Sequence, residues 1–307
     1  MKAATINSYA GDIEITNIPT PAVSADTLLV EVHSASLNPI DNILRAGHLK
    51  DLFPITFPHV MGYDLSGVVI DVGKNVSKFK LGDAVYARPN QGDAGSLAEF
   101  AIVNERELAL KPQSISHKQA ASIPLAGLTA WQAIRVKAAL KKGQKILIHA
   151  GSGGVGTLAI QIAKHVGAYV ATTVSKDNID LVRSLGADLA IDYKASKFED
   201  AVADYDVVFD MIGGETLARS FQVVKEGGCV VSIKGQDEEE NADKFGVRFE
   251  WFLMSPDGEQ LAELSALIDA RAIRPVIDST FPLSLVSEAY DHLADGHAVG
   301  KIIVTVK

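Results

Sequence analysis

A cluster of glycines near the middle of the chain has the spacing of a phosphate-binding turn. The segment Gly151-Ser152-Gly153-Gly154-Val155-Gly156 matches G-x-G-x-x-G and lies between an apolar run at 145–150 and helically spaced apolar residues at 155–166. Between a strand and a helix, such glycines permit a tight turn and a close backbone approach to a pyrophosphate, which the first helical N–H groups bind. We therefore predict that all six residues of this glycine turn contact a dinucleotide. The alternative is a strand–helix turn that binds no ligand.

The residues after the second strand of this region indicate which dinucleotide is bound. Ser175, Lys176 and Asp177 follow that strand directly. An NAD site carries an acidic residue here to hold the ribose hydroxyls, and a carboxylate would repel a 2′-phosphate. With Ser175 in that position, its hydroxyl and the Lys176 ammonium favour NADPH over NADH, and Asn178 and Tyr193 are further candidate phosphate contacts. If the register is shifted by two residues, Asp177 holds the ribose of NAD instead.

Three regions with different patterns surround these residues. Residues 1–124 contain short β-branched runs separated by Pro and Gly, which predict strands. Residues 125–255 alternate apolar strands with amphipathic helices, as expected of a parallel sheet covered on both faces. Residues 256–307 add two helices and an apolar strand at 302–306, which we expect to join the sheet of the first region. The predicted fold is α/β, with a doubly wound parallel sheet at 125–255 between the two parts of a β-rich domain, 1–124 and 256–307.

Composition excludes several functional classes. Of the 307 residues 47% are hydrophobic and 22% are charged, as in ordinary globular proteins, and no apolar run has the length of a membrane span. The formal charge of −9 gives no general attraction for nucleic acid or for anionic membranes. The chain has one cysteine, Cys229, so an internal disulfide is impossible. We expect a soluble, cytoplasmic protein.

Five further segments carry a resemblance that spans nearly the whole chain. They are Leu-Asn-Pro-Ile-Asp at 37–41, Pro-His-Val-Met-Gly-Tyr-Asp-Leu-Ser-Gly-Val-Val at 58–69, Gly-Ser-Leu-Ala-Glu-Phe at 95–100, Leu-Ala-Gly-Leu-Thr-Ala-Trp at 125–131 and Gly-His-Ala-Val-Gly-Lys-Ile at 296–302. Together with the glycine turn, in this order and spacing, they resemble the zinc-independent medium-chain dehydrogenase/reductases of the quinone oxidoreductase group. Each segment alone has low specificity, whereas their combination is highly specific.

The resemblance implies a fold and an assembly. The expected fold is a Rossmann sheet inserted in a GroES-like β catalytic domain, with the active site in the cleft between them. It also implies a homodimer, commonly formed through an edge strand of the dinucleotide sheet. The segment 246–253 is our candidate for that edge, because an exposed apolar edge requires cover. An edge covered by a loop of the same chain is the alternative.

The residues available for a catalytic metal argue against zinc. Where zinc-using relatives carry a histidine after glycine, this chain has Gly62-Tyr63-Asp64, and Cys229 lies far away in a predicted core strand. His59 without partner ligands is better explained as a structural residue. Without a metal to polarise a carbonyl, the favoured acceptors are those whose conjugation spreads the charge that hydride addition creates. We therefore predict zinc-free hydride transfer to a small conjugated carbonyl compound.

The remaining site predictions follow from the resemblance. The candidate catalytic residues are Asn38, Asp41, Tyr63 and Thr129, and the further candidate cofactor contacts are Ser232, Ile233 and Lys301. Asn38 is expected to donate to the carbonyl oxygen or to serve as a turn residue. Asp41 is expected to act as a proton relay, a helix N-cap or a fixed salt bridge. Tyr63 is either an acid or a core tyrosine, Thr129 is expected near the nicotinamide at a helix start, and Lys301 either closes the site or is exposed.

Three functions remain in competition at this point. The first is an NADPH-dependent quinone reductase, with one- or two-electron reduction left open. The second is an enone or 2-alkenal reductase, which uses the same cofactor on an open-chain acceptor. The third is a non-catalytic NADPH-binding protein with a structural or RNA-binding role, although the acidic charge and the lack of a basic, aromatic-rich stripe disfavour RNA.

Overall fold

The computed structural model describes residues 1–89 and 95–307. It divides into two compact units, residues 1–128 with 256–307 and residues 129–255. The first boundary therefore falls later than the predicted one after residue 124. Pro124 begins a helix, and the first turn of that helix is bonded within the first unit, since the Leu125 N–H donates to Asp64 Oδ1 at 2.8 Å.

The strands and helices follow in chain order. In residues 1–131 they are β1 (Lys2–Ile6), β2 (Glu14–Asn17), β3 (Thr27–Ser36), α1 (Pro39–Arg45), β4 (His59–Val60), β5 (Asp64–Val72), β6 (Ala84–Ala87), β7 (Phe100–Asn104), β8 (Leu108–Leu110), α2 (His117–Ala121) and α3 (Pro124–Trp131). A π-helix, Gln132–Lys137, continues α3. Next come β9 (Lys145–Ile148), α4 (Gly154–Val166), β10 (Tyr169–Val174), α5 (Ile179–Ser184), β11 (Leu189–Asp192), β12 (Tyr205–Asp210), α6 (Gly214–Ser220), β13 (Val224–Ser232), α7 (Glu239–Phe245) and β14 (Arg248–Trp251). The last elements are α8 (Gly258–Asp269), β15 (Ile277–Pro282), α9 (Val286–Ala294) and β16 (Lys301–Thr305).

The first unit is built on β-sheets. A seven-stranded sheet has the order β15-β16-β3-β5-β6-β8, with β7 also paired to β3, and a three-stranded sheet has the order β2-β1-β4. The last strand, β16, lies antiparallel to β3, with Ile303 opposite Ser36 and Thr305 opposite Ser34. The apolar tail therefore joins the sheet of the N-terminal region, as its sequence predicts.

A six-stranded parallel sheet forms the second unit. Its order is β11-β10-β9-β12-β13-β14, which is the doubly wound order 3-2-1-4-5-6 when the strands are numbered within the unit. The apolar residues of β9, β12 and β13 are almost completely buried, because helices cover both faces of the sheet. The strand order reverses beside β9, so the turn after β9 lies at the position where such sheets bind ligands.

None of the helices among residues 1–89 and 95–307 combines the length and the apolar character that crossing a membrane requires.

Candidate active site

The glycine turn follows β9 and leads into α4, and two of its glycines are required by close contacts. A Cβ on Gly151 would lie 2.0 Å from Thr172 Oγ1, and one on Gly156 would lie 2.3 Å from the Ala150 carbonyl oxygen. A Cβ on Gly153, in contrast, would meet only the Ala150 oxygen at 3.5 Å. The backbone at Gly153 is thus open to the approach of a ligand. This cradle fits a pyrophosphate, because the N–H groups in the first turn of α4 have no helical acceptors.

The side-chain amide of Asn178 connects the glycine turn with the predicted 2′-phosphate site. Asn178 Nδ2 donates to Ser152 Oγ and to Ser175 Oγ, at 3.1 Å in both cases. Because each serine oxygen accepts from the amide, each hydroxyl keeps its own proton to donate to an anion. Ser175 is the first residue after β10, and the exposed Lys176 follows it. The structure therefore brings together Ser152 of the glycine turn with Ser175, Lys176 and Asn178.

Tyr193 lies beside this group at the end of the neighbouring strand. It follows β11, and its N–H donates to the Val174 carbonyl at 3.2 Å, next to Ser175. The side chain is 59% exposed, so its ring is available to a ligand. Val155 and Gly154 lie in the first turn of α4, half-buried.

Ser232 and Ile233 are predicted to contact the cofactor, but both are hydrogen-bonded within the protein. The Ser232 hydroxyl is fully buried, donates to Asp210 Oδ2 at 2.8 Å and accepts from the Lys234 and Gly235 N–H groups at 3.1 Å. Ile233 is tied to β12 by its N–H, which donates to the Asp210 carbonyl at 3.3 Å. The hydroxyl of Ser232 is therefore engaged within the protein, and it fixes the loop after β13 rather than pointing outward.

A separate polar cluster lies in the first unit, centred on the fully buried Asp64. Asp64 Oδ2 accepts from Ser36 Oγ at 3.0 Å and from Asn38 Nδ2 at 2.9 Å, and Lys301 Nζ lies 3.5 Å from the same oxygen. Lys301 also donates to the Leu37 carbonyl at 2.6 Å and to Asn38 Oδ1. One N–H of the Asn38 amide is thus bonded to Asp64, and a donor role toward substrate would use the other.

Lys301 differs most from its sequence-based expectation. It is 5% exposed, and its ammonium contacts the Leu37 carbonyl, Asn38 and Asp64, so it is neither an exposed lysine nor a group positioned to close the site from the surface. Burial lowers its pKa, and Asp64 and Asp41 act in the opposite direction. Gly300 makes this placement possible, because it has a φ of +89° and a Cβ there would lie 2.4 Å from the Val276 oxygen.

Asp41 is fully buried, and only one of its two carboxyl oxygens has a hydrogen-bond partner within the described residues. Its Oδ2 accepts from the Asn38 N–H at 2.7 Å, which is a cap-like contact at the start of α1. Its Oδ1 has no hydrogen-bond partner within the described part of the chain. Burial raises the pKa of Asp41 to about 7, against the opposing effects of the Asn38 N–H and of Lys301. A carboxyl with this pKa can hold or release a proton near neutral pH.

Tyr63 is buried beside a cation. The Arg88 guanidinium lies 5.2 Å from the ring centroid, and the hydroxyl lies 3.4 Å from His59 Nε2. Burial raises the pKa of the Tyr63 phenol, and the nearby Asp41 charge raises it further. The side chain is 2% exposed, which is the environment of a core tyrosine.

Thr129 lies within α3 rather than at a helix start. It is the sixth residue of Pro124–Trp131, it is 3% exposed, and the π-helix begins three residues later. The prediction of a helix start is wrong here because Pro124 begins the helix five residues earlier. Single π-turns in helices are frequent near functional sites.

Sequence reasoning identified Asn38 and Asp41 but assigned no role to Asp64, Ser36 or Arg88. Asp64 was visible as an acidic residue at the start of an apolar strand, and buried carboxylates require partners. Its partners could not be identified, because Lys301 is 237 positions away in the chain.

No group of three His, Cys, Asp or Glu side chains within residues 1–89 and 95–307 is arranged to hold a metal ion. Cys229 lies in β13, buried, and burial raises the pKa of its thiol to about 11.

Two family models match the chain. One is described as an alcohol dehydrogenase GroES-like domain and covers residues 24–113, and the other is described as a zinc-binding dehydrogenase and covers residues 185–304. These matches, with the parallel sheet above, confirm the predicted fold class.

Individual proteins match over nearly the full length. The NADPH-dependent alkenal/one oxidoreductase of Arabidopsis thaliana chloroplasts is 41% identical over 99% of this chain and 79% of its own. The 2-methylene-furan-3-one reductase of Solanum lycopersicum is 39% identical over 99% of this chain and 79% of its own. The structure of the quinone oxidoreductase from Coxiella burnetii superimposes with a TM-score of 0.92 at 36% identity, covering 100% of this chain and 99% of that one.

Proposed function

Because this chain belongs to the quinone oxidoreductase group of the medium-chain dehydrogenase/reductase family, we propose that it reduces small conjugated carbonyl compounds with NADPH and without zinc. The observation that carries the cofactor assignment is the cluster of Ser152, Ser175 and Asn178 beside Lys176. Two hydroxyl donors and an ammonium stand where an NAD-binding protein places a carboxylate. Asp177 is exposed two residues further on, in a short 3-10 helix.

NADPH supplies a hydride when it is bound, and the residues of this chain bind it. The glycine turn and the first turn of α4 hold the pyrophosphate through backbone N–H groups. Ser152, Ser175, Lys176, Asn178 and Tyr193 hold the 2′-phosphate side. Direct contact of the nicotinamide with Thr129 and with the loop of Ser232 and Ile233 stays a prediction.

The acceptor is proposed to be a quinone or an α,β-unsaturated aldehyde or ketone. The names of the Arabidopsis and tomato relatives support the alkenal and enone class, and the name of the Coxiella protein supports quinones. In both classes conjugation spreads the negative charge that hydride addition creates, so a few hydrogen bonds and exclusion of water are sufficient assistance.

We propose that the reaction proceeds without zinc because of the side chains around Gly62. Tyr63 and Asp64 follow it, and both Asp64 oxygens are engaged by protein donors. His59 contacts Tyr63, and the unit that contains His59 has no cysteine, because the chain's single cysteine belongs to β13 of the other unit. These groups lack the open set of nitrogen and sulfur ligands that a catalytic zinc requires.

The proton that completes the reduction is proposed to come through Asp41. This carboxyl is held by the Asn38 N–H on one oxygen, and its other oxygen lacks a partner within the described residues. Asn38 is held in turn by Asp64 and Lys301, so the start of α1 is fixed by charged hydrogen bonds. Tyr63 is proposed as a packing residue beside Arg88, because burial raises the pKa of its phenol and so makes it a weaker proton donor.

A homodimer is proposed through β14. This strand is the edge of the six-stranded sheet and pairs with β13 on its inner side. Leu253, just beyond it, is 48% exposed, and Val136, next to the Lys137 that pairs with Glu250 of β14, is 55% exposed. Apolar side chains beside an edge strand favour pairing with a second copy. A monomer in analytical ultracentrifugation at micromolar concentration would contradict this proposal.

A cytoplasmic location stays a prediction.

The test of the proposed function is NADPH consumption with a panel of acceptors. Benzoquinone, naphthoquinone, phenanthrenequinone, a cyclic enone and a 2-alkenal are compared in the presence of EDTA, with NADH in parallel. We expect turnover of at least one class, faster with NADPH and unaffected by the chelator. Tight NADPH binding with no turnover of any acceptor would support the non-catalytic alternative instead.

A further inference from the structure

A buried imidazole lies directly before the glycine turn. His149 follows β9 and is 1% exposed. Its Nδ1 lies 3.1 Å from Thr173 Oγ1 and its Nε2 lies 3.0 Å from Ser220 Oγ, so the ring connects β10 with the end of α6. The ring also makes an edge contact with Phe198, at 4.7 Å between centroids. The predicted cofactor contacts do not include this residue.

The direction of each hydrogen bond in this chain of groups can be assigned. Ser220 Oγ donates its only proton to the Thr216 carbonyl at 2.7 Å. It therefore accepts from His149, whose Nε2 carries the proton. The Nδ1 of the neutral ring is then an acceptor, and the Thr173 hydroxyl donates a hydrogen bond to it. Thr173 Oγ1 in turn accepts the Ala150 N–H at 3.3 Å. Every donor and acceptor in the series is used once in a consistent direction.

The series ends on a residue with a costly conformation. Ala150 has a φ of +55°, in the left-handed region that favours glycine. Its carbonyl accepts the Gly153 N–H at 3.1 Å and lies against Gly156, where a Cβ would come within 2.3 Å of it. The orientation of the Ala150 peptide therefore sets the entry into α4. Strained residues of this kind persist only where their surroundings hold them.

We propose that His149 is a positioning residue for the dinucleotide. Anchored on α6 through Ser220, its neutral ring fixes the Thr173 hydroxyl, which holds Ala150 in the left-handed conformation that aims the first turn of α4 at the pyrophosphate. This inference rests on the proposed function, since it assumes that the glycine turn binds NADPH.

The charge state of His149 agrees with this role. Burial, helped by the nearby Arg219 charge, lowers the pKa of His149 to about 3. The ring stays neutral throughout the physiological range, so the hydrogen-bond directions do not change with pH. A group that shuttled protons would need a pKa much closer to neutrality.

The experiment compares cofactor binding by variants of the whole protein. His149→Phe keeps the ring and its edge contact but removes both hydrogen bonds. We expect its Kd for NADPH to rise on the order of tenfold, with the same factor for NADH, because both cofactors share the pyrophosphate. Adding Ala150→Gly to this variant is expected to restore most of the affinity, since glycine adopts a positive φ without cost. Simple destabilisation would give no such rescue.

Two polar substitutions of His149 test its hydrogen bonds to Thr173 and to Ser220 separately. His149→Asn can keep an acceptor near Nδ1 for Thr173, whereas His149→Gln can keep only a donor near Nε2 for Ser220. We expect His149→Asn to bind NADPH more tightly than His149→Gln. Thr173→Val provides a second test that leaves His149 in place, with the same expected weakening for both cofactors.

Controls distinguish the possible failures. Val230→Ala, a core truncation in β13 of the same unit, is expected to lower thermal stability and leave the Kd unchanged. If the unaltered protein binds neither cofactor, the proposed function fails. If it binds NADPH and either His149→Phe or Thr173→Val binds equally well, or if Ala150→Gly gives no rescue, the positioning role of His149 is refuted.

Discussion

Replacing Lys301 by methionine removes the one ammonium at the centre of the buried cluster in the first unit. Methionine keeps much of the length and apolar stem of lysine, so packing changes little. The Leu37 carbonyl and Asn38 Oδ1 lose a charged donor, and the fully buried Asp64 loses its cationic partner. We expect a large loss of stability, together with slower turnover, because Asn38 loses the Lys301 bond and keeps those to Asp64 and Asp41.

The magnitude follows from the geometry. Breaking a buried ion pair by removing one partner costs about 3–5 kcal/mol, and each charged hydrogen bond contributes about 1.5–3 kcal/mol, although these values overlap and do not add. Asp64 retains bonds from Ser36, Asn38 and the Leu125 N–H, which reduces the penalty. We therefore expect a loss of about 3 kcal/mol in unfolding free energy, or a fall in Tm of about 5 °C.

Scanning calorimetry of the full chain measures this change, and the protein offers a matched control. Lys307 is also near the C-terminus and pairs with Glu31 at 2.8 Å, but its side chain is 60% exposed. Lys307→Met is expected to cost less than about 1 kcal/mol, since exposed ion pairs contribute little. Adding Asp64→Asn to Lys301→Met is expected to recover part of the loss. Equal Tm values for the two lysine variants would refute the central role of Lys301.

Three further predictions concern the cofactor site and Asp41. Gly156→Ala places a Cβ 2.3 Å from the Ala150 oxygen, so calorimetric titration should show roughly tenfold or more weaker NADPH binding, and unchanged binding would contradict the close packing. Lys176→Glu should weaken NADPH much more than NADH in fluorescence titrations, whereas equal effects would refute the 2′-phosphate assignment. Burial raises the pKa of Asp41 from 3.8 to about 7, so the folded state favours the protonated carboxyl. The stability that the protonated carboxyl contributes is therefore lost as the pH rises from about 4 to about 7. Asp41→Asn should therefore stabilise the protein more at about pH 8 than at about pH 5 in urea unfolding, and a pH-independent difference would contradict this.

The sequence predicted the elements whose signals are local. The glycine turn, the alternating strands and helices and the return of β16 to the first sheet all follow from patterns within a few residues of each other, or from an apolar strand that needs a neighbour. The placement of Ser175 directly after β10 depends on where that strand ends, and its run of β-branched residues indicated this.

The polar clusters were beyond sequence reasoning because their members are distant in the chain. Asp64 and Lys301 meet only because β16 returns to β3, which brings residues 237 positions apart together. Ser232 was expected beside the nicotinamide, yet its hydroxyl is used by Asp210, an acidic residue at the end of the adjacent strand. His149 lies within the apolar run at 145–150 that predicts a strand, and its partners come from β10 and α6. In each case the determining contacts are long-range, and no local spacing encodes them.

A single-turnover isotope experiment determines whether hydride passes from NADPH to the acceptor without a metal. Protein dialysed against EDTA is mixed with the best acceptor of the panel and with NADPH deuterated on one face of C4, then on the other, and NADPH absorbance is followed. We expect a slower single turnover for one of the two labelled faces and no response to added zinc. Equal rates for both faces, or activity that EDTA abolishes and zinc restores, would contradict this expectation.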